Sequence, residues 1–266
     1  RDQHTFPAMA PLLYTGGILV FGVALGPSMG AEGFAWGVLA GSALGPFGLN
    51  LVGALRSGLR WKPVMALRHP DFRRYFLLSL PIMLAFSVIA VDDWVLKRVG
   101  STLGEGVVAQ ITYAKQLMKV PMGVFGLATG AAAFPTITRM VAEGKKDEAY
   151  RTLVKATRAM LVLAFTAQAG LTVAGTEVAT VIYGTGRFTS MDLENIGLFT
   201  GLFCLGLWGW AAQTVVARGF YAMQNTWTPS LLGSAVMVLA YPGYVALGGS
   251  YGPAGLVVAS SLTITV

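Results

Sequence analysis

The sequence predicts an all-α, polytopic integral membrane protein, and three observations predict it. Charged residues make up only 12% of the 266-residue chain and hydrophobic residues 55%, whereas a soluble domain carries about 25% charged residues. Apolar windows of the about 20 residues that cross a bilayer as helix recur along the chain. Glycine is abundant, at 34 residues, as in bundles whose helices approach closely in lipid. A transmembrane β-barrel would show alternating segments of about ten residues, and none dominates here.

Eight hydrophobic segments follow, at residues 7–27, 34–55, 77–97, 106–139, 152–183, 193–222, 229–248 and 253–266. The first two flank "GPSMGAEG", which has no Lys or Arg, whereas the connection 56–74 carries Arg56, Arg60, Lys62, Arg68, Arg73 and Arg74. Inside that connection "HPDFRRYFLLSLP" reads as a short amphipathic helix at the membrane interface, with His69 a solvated residue beside Pro70. The third span ends in "KRVGSTLGEG", and the long fourth contains Pro121 and Pro135 as places to bend. The next connection holds Arg139, Lys145, Lys146, Arg151, Lys155 and Arg158. Its "EGKKDEAYRTLVKATRAM" starts a helix with acidic residues first and basic ones later, matching the helix dipole. The fifth and sixth spans are joined by "GTGRFTSMD", and the last two by "GGSYGPAG". Cys204, the single cysteine, lies in an apolar run and can form no intrachain disulfide.

The two basic connections are an even number of spans apart, so they share a side, which the positive-inside rule makes cytoplasmic. The N-terminal end then also lies inside. The net charge of +7 reads as a topology signal with anionic-lipid contacts, and no nucleic-acid partner is expected. The chain opens on "RDQHTF", without an initiator Met or signal peptide pattern, and reads as a fragment whose N-terminal helices are missing. The expected domains are 1–62, two helices of a first lobe; 63–76, the cytoplasmic amphipathic linker; and 77–266, the second lobe with its last span truncated.

Ionisable groups within spans are costly and therefore informative. "VIAVDDWVLKRVG" holds Asp92, Asp93, Lys97 and Arg98. Asp93 and Lys97, four residues apart on one face, form an expected ion pair, which leaves Asp92 to find a partner across helices. "QITYAKQLMKVPMG" holds Lys115 and Lys119, one turn apart, where like charges repel. Lys119 sits about 20 Å along its helix from the boundary near 104–106, well within the bilayer core. The expected setting is a water-filled cationic cavity for an anionic, phosphate-bearing substrate; snorkelling with pairing to Asp92 or Asp93 is the alternative. Gly123, Gly126 and Gly130 are candidate sites of close helix packing or bending. Neither metal-ligand spacing nor a nucleophile–base pair appears, so the protein reads as no enzyme and no cofactor is expected.

"ARGFYAMQNTWTP" resembles the signature of the MurJ/MviN family of lipid II flippases, through Ala217, Arg218, Phe220, Tyr221, Ala222, Gln224, Asn225, Thr226, Thr228 and Pro229. A second family run is matched by Tyr113, Ala114, Leu117, Pro121, Gly123, Phe125, Gly126, Ala128, Gly130, Pro135, Thr136 and Arg139, and "GRFT" (186–189) matches a third element. The resemblance covers residues 110 to 230 well. It implies part of a two-lobed flippase fold of the MOP superfamily, with the fifth and sixth helices of the first lobe and most of the second. It also implies an undecaprenyl-diphosphate-linked glycopeptide substrate, lipid II, moved by alternating access. In the family's "Y-A-D-R-L" a functional arginine follows the acidic residue; here Lys115 and Gln116 stand in those positions. The cationic role would then fall to Lys115 and Lys119, tuned by Asp92 or Asp93. Two readings stay open beside this one: an exporter of another polyprenyl-linked glycan or a drug cation, and a membrane scaffold for cell-wall enzymes.

Overall fold

A computed structural model describes residues 5–56, 58 and 69–265, apart from the side chains of 5–8, 78, 82, 85–89 and 125–133. Every regular element among the described residues is helical. The chain divides into two compact units, Arg1–Leu67 and Arg68–Val266.

In the first unit α1 (Thr5–Met29) turns through Gly30 into α2 (Ala31–Ser42). Gly30 has φ 58, in the left-handed region where glycine carries no steric penalty. A π-helical stretch, Ala43–Leu49, follows and takes Pro46 into the rod before α3 (Asn50–Arg56). The missing N–H of a proline breaks the regular α ladder, and one wider turn absorbs that defect. Gly17 meets Gly41 so closely that a Cβ on Gly17 would lie 2.7 Å from the Gly41 Cα. Two helix backbones in van der Waals contact are what small residues permit in lipid.

The second unit comprises α4 (Pro70–Gly100), α5 (Val107–Ala142), α6 (Lys146–Val173), α7 (Gly175–Tyr183), α8 (Ser190–Cys204), α9 (Leu207–Ala222) and α10 (Trp227–Thr265). At about 1.5 Å per residue, the 31 residues of α4 and 36 of α5 exceed the bilayer core. Four helical stretches are long and apolar enough to cross a membrane on their described residues: 9–29, 31–56, 146–173 and 227–265. The pair α8 and α9, bent by 48°, makes a fifth.

Each of the eight expected segments lies on helix over most of its described residues, with differences that have local causes. The expected 152–183 is divided where Ala174 leaves helical geometry, at φ -103 and ψ 21. α10 joins the last two segments into one run that breaks at Gly252, with φ 63 and ψ -147. The arms fold close enough that a side chain at Gly255 would strike the Leu247 carbonyl oxygen. Residues 70–81 do not form a separate short helix: α4 runs on from Pro70 through Pro81. His69 caps it, its ring accepting from the Asp71 N–H at 3.3 Å, with Pro70 in the first turn. A proline there lacks only an N–H that has no helical partner anyway. The rest of the expected linker, 63–68, lies outside the described residues. α5 likewise continues through both Pro121 and Pro135.

The core of this unit is built by Val95 and Leu96 of α4, Ile111, Ala114 and Met118 of α5, Met160 of α6, Phe199 and Phe203 of α8, and Tyr244 and Leu256 of α10. Cys204 is buried among them as a free thiol.

Candidate functional site

Four side chains from three helices meet in the second unit because their helices share a register. Asp92 lies eight residues before Gly100, the end of α4, and Lys115 eight residues after Val107, the start of α5. Tyr244 and Ser260 lie eight residues before and after the break at Gly252. At 1.5 Å per residue each is about 12 Å from its turn, so four antiparallel segments bring their polar groups to one level. The same end gathers the 184–189 loop and the start of α8: Gln110 donates to Asp192 of α8 at 2.8 Å. Tyr113 packs edge-on against Tyr183 and Phe188.

Lys115 Nζ donates to Asp92 Oδ2 at 2.5 Å and also to Asp93 Oδ1. Tyr244 donates its hydroxyl to Asp92 Oδ1, and Ser260 donates to the same carboxylate at 3.1 Å. Asp92 and Lys115 are buried, at 9% and 7% exposure. A charge so placed is tolerated only when paired and hydrogen-bonded, and Asp92 has both an ammonium and two hydroxyls. Asp93 differs: its side chain is 39% exposed and Lys115 is its one hydrogen-bond donor among the described residues.

The expected Asp93–Lys97 pair is therefore not formed. A helical i, i+4 contact at an exposed position contributes about 0.3–0.5 kcal/mol, and the ammonium of a neighbouring, buried helix face outcompetes it. Lys97, Gln116 and Lys119 are exposed, and with Asp93, Thr112 and Lys115 they line a cleft of about 180 Å³ between α4 and α5. Neither Lys97 nor Lys119 has an ion-pair partner among the described residues. Lys115 and Lys119, expected to act together, are thus unlike: one is neutralised and buried, the other free in the cleft. Three ammonium groups against two carboxylates leave one net positive charge at this place.

Pro121 is half-buried and Gly123 exposed with nothing within 4 Å of an added Cβ. Gly123 therefore mediates no close helix approach in this structure, because no neighbour reaches it. Gly126 and Gly130 continue α5, and their surroundings lie outside the described residues.

The "ARGFYAMQNTWTP" stretch is a helix–turn–helix joint remote from the cleft. α9 ends at Ala222, Gln224 takes φ 59, and Asn225 caps the next helix. The Asn225 side chain accepts from the Thr228 N–H at 3.1 Å and donates to the Thr228 hydroxyl at 2.9 Å. Pro229 follows inside the first turn of α10, and Ser230 donates to the Pro81 carbonyl of α4 at 2.7 Å. Arg218 and Phe220 are half-buried on the last turns of α9 and Tyr221 is exposed. Thr189 of "GRFT" likewise caps α8, in a reciprocal capping box with Asp192.

Tyr244 and Ser260 escaped the sequence reading, since hydroxyls in apolar runs are common and carry no charge signal. The i, i+4 spacing points Lys97 to Asp93, whereas the structure places it in the cleft wall as a cation unpaired among the described residues.

An all-helical membrane protein with a buried ionic centre and a cationic cleft beside it is the class defined by this fold and site. The chain belongs to the lipid II flippase MurJ family, whose model matches residues 1–266. It is 26% identical over 243 residues to the lipid II flippase MurJ of Burkholderia cenocepacia, covering 89% of this chain and 47% of that protein. To the probable lipid II flippase MurJ of Thermotoga maritima it is 25% identical over 265 residues, covering 98% and 52%. A solved structure of a lipid II flippase MurJ in an inward closed conformation superposes with TM-score 0.80 at 23% identity, over 99% of this chain and 54% of that one. The chain thus spans about half the length of these relatives.

Proposed function

We propose that the protein is a flippase for undecaprenyl-diphosphate-linked glycopeptide, the lipid-linked peptidoglycan precursor, and works by alternating access. The observation that carries this reading is the α4–α5 cleft, where Lys97 and Lys119 stand unpaired beside the neutralised Lys115. A diphosphate is a multivalent oxyanion, and ammonium groups within a span attract it strongly because the surrounding dielectric is low. The net positive charge of the cleft disfavours a cationic drug as cargo. Movement across the membrane needs no bond made or broken, so the protein acts as a transporter and not as an enzyme.

In this reading residues 1–62 supply two helices of a first lobe, 63–76 link the lobes, and 77–266 belong to the second. The basic connections face the cytoplasm of a bacterial cell, at its inner membrane, with the N-terminal end of the chain on the same side. Their lysines and arginines also meet anionic lipid headgroups there. Other helices of the complete protein would close the transport path.

Translocation of lipid II into or out of vesicles holding the complete protein tests the proposal. Lys119→Ala should lower the rate about tenfold, as loss of a charge-assisted contact of about 1.4 kcal/mol implies. Undiminished flux in Lys97→Ala/Lys119→Ala would remove the cleft from the transport path.

A further inference from the structure

We propose that Asp93 is a built-in competitor for the transported anion: it holds Lys115 until a multivalent phosphate oxyanion takes its place. This rests on the anion-binding reading of the cleft and adds the determinant that sets which anions enter.

The two carboxylates on Lys115 are held unequally. Asp92 is buried, and Tyr244 and Ser260 bind it from the two arms of α10. Losing Lys115 would leave a buried carboxylate with two hydroxyl donors but no counter-charge, so the Asp92–Lys115 pair is the fixed half. Asp93 forms part of the cleft wall, has a partly exposed side chain, and receives no hydroxyl or amide donor among the described residues. It can give up Lys115 and be resolvated within the cleft.

The charged groups that face Asp93 are Lys97 from its own helix and Lys115 and Lys119 from α5. From α10, Tyr244 and Ser260 turn their hydroxyls to Asp92. An incoming anion therefore finds two free ammonium groups and a third that is already paired. A monovalent anion offers Lys115 no more charge than Asp93 does, and the local carboxylate has the advantage of being tethered. A diphosphate carries more charge and more acceptor oxygens, so it can bridge Lys97 and Lys119 while drawing the ammonium of Lys115 off Asp93. An ammonium group has three donors, so Lys115 can keep Asp92 throughout. The consequence is selection: Asp93 lowers affinity for every anion, and most strongly for the weakly charged ones.

The test uses the complete protein in nanodiscs, with inorganic pyrophosphate and acetate as probes read by calorimetry. Asp93→Asn keeps the shape of the side chain and removes its charge. It should tighten pyrophosphate binding about fivefold to tenfold and raise acetate binding by a larger factor, while Lys119→Ala weakens pyrophosphate binding. Asp93→Ser, which removes the carboxylate without an amide, should shift both in the same direction and serves if the Asn variant folds poorly. If both variants bind pyrophosphate no more tightly than the parent while Lys119→Ala still weakens it, Asp93 is no competitor and the anion site stands. If the parent binds no pyrophosphate and Lys119→Ala leaves lipid II flux unchanged, the anion reading fails and this inference falls with it.

Discussion

Replacing Lys115 with Met keeps most of the side-chain volume and removes the one cation that Asp92 and Asp93 share. Asp92 would remain 9% exposed, with the Tyr244 and Ser260 hydroxyls as donors but no counter-charge. Breaking a buried pair from one side costs about 3–5 kcal/mol, because the orphaned ion keeps its desolvation penalty. Asp93 adds little to that cost, since its more exposed carboxylate is screened by solvent. A loss of that size lowers the unfolding midpoint by on the order of 10 °C for a unit of about 200 residues. Thermal unfolding in detergent or nanodiscs reads the shift. The second replacement Asp92→Asn in the Lys115→Met background removes the orphaned charge and should recover more than half of the loss. A midpoint within about 2 °C of the parent for Lys115→Met, or no recovery in the double variant, would refute the claim that this ion pair ties α4 to α5.

Three further predictions concern the joints that set the register, beside the Lys119 flux test above. Gly252→Ala should destabilise the second unit by about 1–3 kcal/mol, the cost of a side chain in a positive-φ region that is nearly glycine-only, because its φ is 63 and ψ -147 while the space around it is open; an unchanged unfolding midpoint would show that the break relaxes freely. Asn225→Ala should cost about 1 kcal/mol, as for loss of other helix caps, with Asn225→Asp restoring most of it. Glu143, in the α5–α6 loop, is held below its ordinary value of 4.5 by hydrogen bonds from Lys145 and Arg139. A depressed carboxylate stabilises the fold above its unfolded-state value and loses that contribution as pH falls through the lower folded-state value. Carbonyl NMR titration of a Glu143-labelled sample should therefore give a midpoint below 4.5, and a Lys145→Ala variant should return it upward.

The family motif shows how sequence pattern and chemistry separate. Gln224, Asn225, Thr228 and Pro229 match a signature, yet their geometry is that of a turn and a cap. Such positions are restricted by backbone conformation, since only a few side chains tolerate the left-handed region or satisfy the first N–H groups of a helix. Lys115, by contrast, lies in the ionic centre with Asp92 and Asp93.

The helical class, the positions of the eight apolar segments and the presence of Asp92 with Asp93 in one of them and Lys115 with Lys119 in another were determined by the sequence alone. These follow from hydrophobicity and length, which act locally: a run of about 20 apolar residues must satisfy its own backbone in lipid and does so as helix. That Asp92 needed a partner from another helix was also legible, from the cost of leaving it unpaired. Which partner it takes was decided only by the tertiary structure. Lys115 displaces Lys97 from Asp93, and Tyr244 and Ser260 complete the shell of Asp92, because four segments stand at a common depth around turns whose lengths no local rule couples. The difference between Lys115, buried and neutralised, and Lys119, exposed and free, has the same origin. One residue type on one helix face acquires its chemistry from whatever the neighbouring helices place opposite it.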